Sequence, residues 1–387
     1  MVIGITFLQA KKDPHVAGSV LLVFWTDRHR SGSQQTAPLS LCRSGRHNAR
    51  LKSQLDMDMG AYRLVLAIVV ALSHMGVRLF TYNPGVFAVV SFLIISGFVM
   101  TALVSKRYNS QSRIRMFYID RALRLYPQFL LYFALSCIII IFWLPPNVSE
   151  EAISVTNIIP SLAIAPLDLY MFGITNSLII PPAWSLGLEA FFYIAIPFLI
   201  IYRLTYVGFA LSLLFSIVPA LGLIDSDVYG YRLLPGTLFI FLCGSYLYWV
   251  TKTSSALLLL AWVVSLVALT ASLTGFLPRL GYTTEVSAGI VFGLPVIKLL
   301  LRLGYSKADE VLGNISYGVF LNHFVIMYAA EAFGYTPSSS TGYIICILVG
   351  SIIFSIFSYN LIERPVLRFR HALRGRNISR CETQSSS

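Results

Sequence analysis

Residues 63–74, Arg-Leu-Val-Leu-Ala-Ile-Val-Val-Ala-Leu-Ser-His, decide the fold class of this chain. The run is apolar between Arg63 and the terminal Ser73-His74 pair. If it is a helix, a rise of ~1.5 Å per residue separates Arg63 from His74 by about 16 Å along the axis. Steps of about 100° per residue return the two side chains to nearly the same face. Ionisable groups are costly at membrane depth, so the pattern indicates a functional site in a membrane helix.

The composition is that of an all-α, polytopic membrane protein. Hydrophobic residues make up 56% of the chain and charged residues 12%, and the mean hydropathy is +0.73. A soluble domain has roughly 45–50% and about 25%. The net charge of +12 is typical of cytoplasmic loops in a membrane protein, so we expect no nucleic-acid partner. The five cysteines lack paired spacing, which argues against a disulfide framework or a zinc site, and no metal is expected.

The apolar segments predict about ten transmembrane helices. They lie near residues 62–80, 85–104, 126–144, 184–202, 206–223, 233–250, 255–275, 283–301, 314–333 and 341–361. With both termini in the cytoplasm, all but Arg78, Arg232 and Arg279 of the 29 Lys and Arg residues fall on the cytoplasmic side. Positive charge is enriched in cytoplasmic loops, so this asymmetry supports the topology.

The chain divides into a membrane domain over residues 57–367 and two basic tails. Residues 1–56 mix basic residues with Ser, Gln and Gly, and we expect them to be disordered. The alternative is that the natural start is Met57 or Met59. Residues 368–387 form a second basic tail, predicted to be cytoplasmic. The long connection 145–183 carries apolar runs, which predicts a lid or re-entrant segment over the outer face rather than a flexible linker.

Six ordered motifs within residues 60–367 carry a resemblance to a known family. They are Arg63 with His74, Phe92-Leu-Ile-Ile-Ser-Gly-Phe98, Phe117-Tyr-Ile-Asp-Arg-Ala-Leu-Arg-Leu-Tyr-Pro127, Ala183-Trp-Ser-Leu-Gly-Leu-Glu189, Ile315-Ser-Tyr-Gly-Val-Phe-Leu-Asn-His323 and Ile362-Glu-Arg-Pro365. The chain resembles the acyltransferase 3 family of integral-membrane O-acyltransferases, which includes O-antigen, exopolysaccharide and nodulation-factor acetylases. The resemblance implies an acyl-CoA co-substrate, with acetyl-CoA the commonest donor of the family.

The resemblance assigns the general base to His74 and donor binding to Arg121 and Arg124, and we add Arg63 to the donor site. An imidazole titrates near neutral pH and can take the proton of an attacking hydroxyl. Two guanidiniums three residues apart share a helix face and can bind the phosphates of coenzyme A. The simpler interpretations are a packed histidine for His74 and positive-inside anchors for the arginines. Asp120 stands where relatives often carry another base, which alters the expected local charge.

Glu189 is the second catalytic candidate, since a carboxylate inside a membrane helix needs a partner or a wet cavity. It is expected to bind acceptor hydroxyls or to orient His74, and the alternative is an ion pair with Arg232 or Arg78. The remaining substrate-side or secondary candidates are Trp184, Ser185, Asn322 and His323. Ser96-Gly97 is interpreted as helix packing rather than as an acyl-accepting serine. Glu363 is interpreted as a structural ion pair with Arg364.

The predicted function is therefore transfer of an acyl group, expected to be acetyl, from cytoplasmic acyl-CoA to a hydroxyl of an envelope or exported carbohydrate. The acceptor is a carbohydrate or lipid-linked saccharide, the surroundings are membrane lipid, and the expected location is the bacterial inner membrane. The main alternative is a secondary transporter that exports an envelope precursor unchanged. A transporter commonly shows two related halves, and no internal repeat is evident here. A pure anchoring protein would have no need for Arg121, Arg124 and His74 together.

Overall fold

The computed structural model describes residues 59–146, 148–173, 178–278, 280–303, 306–335 and 340–370. The predictions for residues 1–56, including an alternative start at Met57, lie outside the described residues. So do residues 371–387 of the predicted second tail, whereas residues 368–370 continue a helical segment.

Helices dominate the described residues, which contain no β-strand beyond the isolated bridge between Leu79 and Tyr82. The helices are α1 Gly60–His74, α2 Pro84–Arg107, α3 Ile114–Phe142, α4 Val155–Leu162, α5 Trp184–Ile201, α6 Thr205–Ala220, α7 Leu234–Tyr248, α8 Lys252–Leu273, α9 Thr283–Leu300, α10 Lys307–Ala332 and α11 Thr341–Ser358. Each of the ten predicted apolar segments overlaps one of these helices, and α4 lies in the long connection. The all-helical prediction is confirmed.

Among the residues that the structure describes, seven helical segments are long and apolar enough to cross a membrane. They are Pro84–Arg107, Gln111–Phe142, Pro181–Ile201, Lys252–Leu273, Thr283–Leu300, Lys307–Ala332 and Thr341–Arg370. Helices α1, α6 and α7 have 15, 16 and 15 residues, so at ~1.5 Å per residue they are shorter than a hydrocarbon core of about 30 Å. The structure supports a multi-pass membrane protein, while ten spans and cytoplasmic termini stay predictions.

Helix α1 ends earlier than predicted, at His74 instead of near residue 80. Gly76 adopts the left-handed conformation with φ 84°, and the amide of Val77 donates to the carbonyl oxygen of Leu72 at 3.1 Å. Both features are typical of a helix stop at glycine. The imidazole of His74 is therefore at the end of a helix, not part-way along a span.

Helix α3 begins earlier than predicted, at Ile114 instead of near residue 126. Arg121 and Arg124 therefore lie inside the helix rather than at its foot. Each guanidinium forms an ion pair, Arg121 with Asp120 and Arg124 with Glu363. These carboxylates neutralise charges that would otherwise be costly to bury, so the helix extends through a segment that the hydropathy pattern excluded.

Helix α2 is the most buried of the candidate membrane spans and packs against α1, α5, α7 and α9. A Cβ at Gly97 would overlap the carbonyl oxygen of Phe241 in α7, so only glycine permits this close approach. The packing interpretation of Gly97 is confirmed. Close approach of α2 and α7 fixes the position of the neighbouring Ser96 within the bundle.

Contacts at the two ends of α1 serve to name the two ends of the bundle. The amides of Gly60 and Ala61 at the start of α1 donate to the carboxylate of Asp309 in α10, at 2.6 and 2.7 Å. At the other end of α1, Ser73 packs against Gly85 at the start of α2. We call these the Gly60 end and the His74 end.

The connection between α3 and α5 is folded where it is described. It contains α4 and a 3₁₀ segment, Ala165–Phe172, that packs against α5. The contact depends on Gly187, because a Cβ there would lie 2.5 Å from the backbone nitrogen of Asp168. This packing agrees with the prediction that the connection folds back on the bundle instead of forming a linker.

Candidate active site

His74 and His323 form a hydrogen-bonded imidazole pair. His74 Nδ1 lies 3.0 Å from His323 Nε2, and the rings stack with centroids 5.1 Å apart and an interplanar angle of 15°. Phe324 contacts both rings, with centroids 5.1 Å from His74 and 5.0 Å from His323. The structure thus joins the end of α1 to the middle of α10 through two predicted site residues.

The tautomers of the pair follow from the group behind His323. His323 Nδ1 lies 3.1 Å from the carbonyl oxygen of Val319. A carbonyl can only accept, so we assign the proton to Nδ1, which leaves Nε2 of neutral His323 as an acceptor. His74 must then donate from Nδ1, and its Nε2 carries a free lone pair. His74 is exposed and His323 is fully buried, so only the first can meet a substrate directly.

A cavity of about 280 Å³ opens at the His74 end of the bundle. Its lining includes His74, Arg78, Asn83, Trp184, Ser185, Tyr231, Arg232, Tyr282 and Phe320. The predicted residues His74, Trp184 and Ser185 are therefore together in one cavity, although they come from α1 and α5. Ser185 donates to the carbonyl oxygen of Pro182 at 2.9 Å, which orients its hydroxyl at the start of α5.

Arg232 holds the aromatic wall of this cavity. Its guanidinium lies 4.7 Å from the ring centre of Trp184 and 5.8 Å from that of Tyr231. Its Nε donates to Asp227 at 3.0 Å. Burial is the largest single influence and opposes the charge of Arg232, but the Asp227 carboxylate together with Tyr170 and Tyr231 outweighs it, so the pKa of Arg232 lies above its usual value. Cation–aromatic contacts of this kind stabilise a fixed arrangement of the rings.

Glu189 lies elsewhere in the bundle, and it is not among the lining residues of the cavity. Its carboxylate accepts hydrogen bonds from Ser96 at 2.5 Å and Tyr193 at 2.8 Å. Its charge interacts with Arg63. The alternative pairing of Glu189 with Arg232 or Arg78 is wrong, because Arg232 pairs with Asp227 and Arg78 donates to the carbonyl oxygen of Ser73. The observed orienting partner of His74 is His323.

The three arginines predicted to bind the donor are brought together. Arg63 interacts electrostatically with Arg121, and Arg124 interacts with both. Arg121 also lies 6.0 Å from the ring centre of Tyr193, and Arg124 lies 5.4 Å from that of Tyr317. Arg63 Nε is buried, and the described part of the chain gives it no hydrogen-bond partner. A buried N–H of this kind calls for an explanation, and a bound anion is one.

Carboxylates already compensate much of this positive charge. Asp120 accepts from Arg121 and lies 3.4 Å from Arg370. Glu363 pairs with Arg124, so the prediction that it pairs with Arg364 is wrong. Arg364 is exposed at the end of the described chain. A donor phosphate would therefore have to share these guanidiniums with the carboxylates or displace them.

Asn322 is a structural contact in the described bundle. Its side-chain amide donates to the carbonyl oxygen of Ser351 at 3.0 Å and to the hydroxyl of Ser355 at 2.8 Å. Both partners are on α11, and Asn322 is fully buried. Asn322 and His323 are adjacent on α10, so their side chains leave the helix about 100° apart, and Asn322 contacts α11 whereas His323 contacts His74 of α1.

Sequence reasoning did not assign Arg78, Asn83, Tyr231, Arg232 or Tyr282 to the site. A signal was present for the two arginines, because they are two of only three Lys or Arg residues on the predicted outer side. The third, Arg279, is outside the described residues. For a metal, the described part of the chain holds no group of three or more His, Cys, Asp or Glu side chains placed to bind one.

The chain is similar in sequence to known proteins. An uncharacterized protein of Aquifex aeolicus (strain VF5) is 31% identical over 201 residues, which cover 50% of this chain and 90% of the relative. No solved structure matches the chain. The model of the Acyl_transf_3 family, described as an acyltransferase domain, matches residues 60–360, which include α1 with His74 and α10 with His323. The chain belongs to the acyltransferase 3 family.

Proposed function

We propose that the chain is a membrane O-acyltransferase of the bacterial inner membrane that moves an acetyl group from cytoplasmic acetyl-CoA to a hydroxyl of a carbohydrate acceptor. The observation that carries the proposal is the position of His74. Its Nε2 has a free lone pair in an accessible cavity, and its Nδ1 is held by His323. A positioned base of this kind is what acyl transfer to a hydroxyl needs.

The donor is proposed to bind at the arginine cluster of Arg63, Arg121 and Arg124. Arg63 and His74 lie on the same helix, and their separation along it is about 16 Å at ~1.5 Å per residue. The pantetheine arm would run along α1 and present the thioester at the imidazole. Glu189, which interacts with Arg63, would hold the cluster in place through Ser96 and Tyr193.

The acceptor is proposed to bind in the cavity at the His74 end, with its sugar ring against Trp184. The hydroxyl proton moves to His74 Nε2 as the hydroxyl oxygen attacks the thioester carbon. The new C–O ester bond forms, the C–S bond breaks, and the imidazolium returns the proton to the coenzyme A thiolate. His323 accepts from His74 Nδ1–H throughout, so it stabilises the imidazolium by a charge-assisted hydrogen bond.

The test uses membranes that contain the full chain, supplied with acetyl-CoA labelled in the acetyl group. Transfer of the label to saccharide is expected for the wild type. His74→Ala is expected to reduce transfer by about 10²–10⁴-fold, the usual contribution of a general base. Equal abundance of the two proteins in the membrane is the control. Full transfer by His74→Ala would refute the assignment, and export of an unmodified saccharide without any transfer would favour a transporter.

A further inference from the structure

The cavity at the His74 end has a strongly asymmetric charge. Arg78 and Arg232 both line it, and none of the described lining residues is acidic. Carboxylates contact the lining residues without lining the cavity themselves: Asp227 pairs with Arg232 Nε, Asp168 interacts electrostatically with Arg232, and Glu285 accepts from the backbone amide of Asn83 at 3.2 Å. A concave site lined by charge of one sign concentrates ligands of the opposite sign.

Arg78 is the more available of the two cations. It is exposed in the cavity, and its described hydrogen bond joins one terminal nitrogen to the carbonyl oxygen of Ser73 at 3.0 Å. That bond stabilises the end of α1, but a guanidinium has five N–H donors. Most of them are therefore left to bind a ligand, and the planar fork matches phosphate and carboxylate oxygens.

The rest of the lining suits a polar ring beside the anion. Trp184 and Tyr231 meet with ring centroids 5.1 Å apart, and Tyr231 and Tyr282 with centroids 5.6 Å apart. Asn83 accepts from the amide of Gly85 through its oxygen, so its NH₂ group is left as a donor. At about 280 Å³ the cavity is at the small end of ligand pockets, which are roughly 300–1,000 Å³, and this size favours one sugar ring over a long oligosaccharide.

We propose that the acceptor is an anionic saccharide, in which a phosphate or carboxylate group next to the acetylated sugar ring is bound by Arg78 and Arg232. This inference rests on the proposed function and specifies its acceptor. The anion sits on the two guanidiniums, the ring packs against Trp184, and the reacting hydroxyl meets His74 Nε2. A neutral sugar would leave Arg78 without a counter-charge in the occupied cavity, so it would bind more weakly.

The test measures binding without the donor, on purified full-length protein in lipid nanodiscs. Two pairs of probes are compared: glucose 1-phosphate with glucose, and galacturonic acid with galactose. The wild type is expected to bind at least one anionic probe about tenfold or more tighter than its neutral partner, a difference of ~1.4 kcal/mol. A gain for glucose 1-phosphate alone identifies a phosphate next to the ring, and a gain for galacturonic acid identifies a carboxylate.

Arg78→Gln is the informative variant, and Arg302→Gln is its matched control. Both arginines are exposed, and Arg302 is not among the cavity residues. Arg78→Gln is expected to reduce the preference for the anion to less than about threefold, whereas Arg302→Gln keeps it. Equal binding of charged and neutral probes, no detectable binding of either anion, or a preference that survives in Arg78→Gln would each overturn the inference.

Failure of this inference can be distinguished from failure of the proposed function. Anion binding that depends on Arg78 without any acetyl transfer would show that the anion site exists but would refute the enzyme, and with it the role of the bound saccharide as acceptor. Acetyl transfer that depends on His74, with neutral and anionic acceptors used equally, would support the proposed enzyme and refute the preference for an anionic acceptor.

Discussion

His74 Nδ1 lies 3.0 Å from His323 Nε2, and the Val319 carbonyl oxygen behind His323 determines which nitrogen of each ring carries the proton. The two histidines are 249 positions apart in sequence. The pair therefore depends on the packing of α1 against α10, which the hydrogen bonds from Gly60 and Ala61 to Asp309 secure at the other end of α1. In the proposed mechanism, His323 is a positioning residue that acts through His74.

Replacing His323 tests that role. His323→Ala is expected to lower kcat by about 10–100-fold with little change in the KM for acetyl-CoA, because the base loses its orienting acceptor but not its own lone pair. His323→Gln can still accept from His74 through its amide oxygen, so it is expected to restore part of the activity. Steady-state kinetics on the two variants make the comparison.

The pH profile separates positioning from a merely structural role. A variant that only loosens the bundle would lower the amount of active protein without moving the profile. Loss of the acceptor at Nδ1 is expected to lower the proton affinity of His74, so the acidic limb of kcat/KM should move to lower pH in His323→Ala. An unchanged profile, or equal activity of the Ala and Gln variants, would contradict the assignment.

The ion pair of Arg124 and Glu363 predicts a coupled pair of substitutions. Glu363→Gln leaves Arg124 buried without its carboxylate, and removing one partner of a buried pair costs about 3–5 kcal/mol. The double variant Arg124→Gln/Glu363→Gln is expected to recover much of the lost thermal stability. If Arg124 also binds a donor phosphate, the double variant lacks that contact. Its KM for acetyl-CoA should then be higher than that of the wild type, even where its thermal stability is recovered.

Tm and KM therefore answer two different questions. A double variant that is no more stable than Glu363→Gln would show that the two side chains are not energetically coupled. Recovery of both Tm and KM would assign Arg124 to structure alone and move donor binding to Arg63 and Arg121.

The apolar helices were predictable because hydropathy is a local property of the sequence. The ends of these helices were less predictable, because they depend on contacts with residues far away in the sequence. The predicted third span began only after Arg121 and Arg124, at about residue 126. The observed helix begins before both arginines, because Asp120 and Glu363 neutralise their charge. Helix α1 ends just before Gly76, and that glycine is visible in the sequence. A single glycine inside an apolar run is also compatible with a continuing helix, however, so the helix end could not be predicted from it.

The site was predictable only as a set of residue types. Motif spacing indicated His74, His323 and the arginines, but nothing in the sequence says that His74 contacts His323 rather than Glu189. That choice is made by the register of α1 against α10. Likewise, the involvement of Arg232 follows from a short turn, Val228–Arg232, whose position against Trp184 is a tertiary contact.

Gly187 predicts how firmly the 3₁₀ segment Ala165–Phe172 is held on α5. In Gly187→Ala the new Cβ would lie 2.5 Å from the backbone nitrogen of Asp168 and 3.0 Å from the carbonyl oxygen of Ile164. Backbone atoms cannot move aside cheaply, so we expect a loss of about 1–3 kcal/mol. Limited proteolysis within residues 143–180 and the Tm of the purified protein measure it.

Gly342 provides the matched control, because a Cβ there would meet nothing within 4 Å. It lies near the start of α11, where replacing glycine by alanine reduces the freedom of the unfolded chain and favours helix. Gly342→Ala should therefore keep or slightly raise Tm and leave the cleavage pattern unchanged. Equal behaviour of the two variants would mean that the contact between Gly187 and Asp168 is not tight.

Asp168 predicts a pH-dependent contribution to stability. It is 1% exposed, and both carboxylate oxygens are buried without a hydrogen-bond partner among the described residues. Burial raises its pKa from 3.8 to about 8, and the charge of Arg232 offsets only part of this. The folded protein therefore binds this proton more tightly than the unfolded chain does, and the free energy of unfolding falls as the pH rises from about 4 to about 8.

Asp168→Asn cannot titrate, so its stability should lack this component. We expect the free energy of unfolding of the variant, relative to wild type, to rise between pH 5 and pH 8, on the order of a few kcal/mol at most, and its Tm relative to wild type to rise with it. Glu150→Gln, which removes an exposed carboxylate from the same connection, should follow the wild-type pH dependence. Thermal unfolding at several pH values measures how Tm changes with pH in the wild type, Asp168→Asn and Glu150→Gln. Parallel slopes for wild type and Asp168→Asn would mean that this carboxyl titrates alike in the folded and unfolded chain.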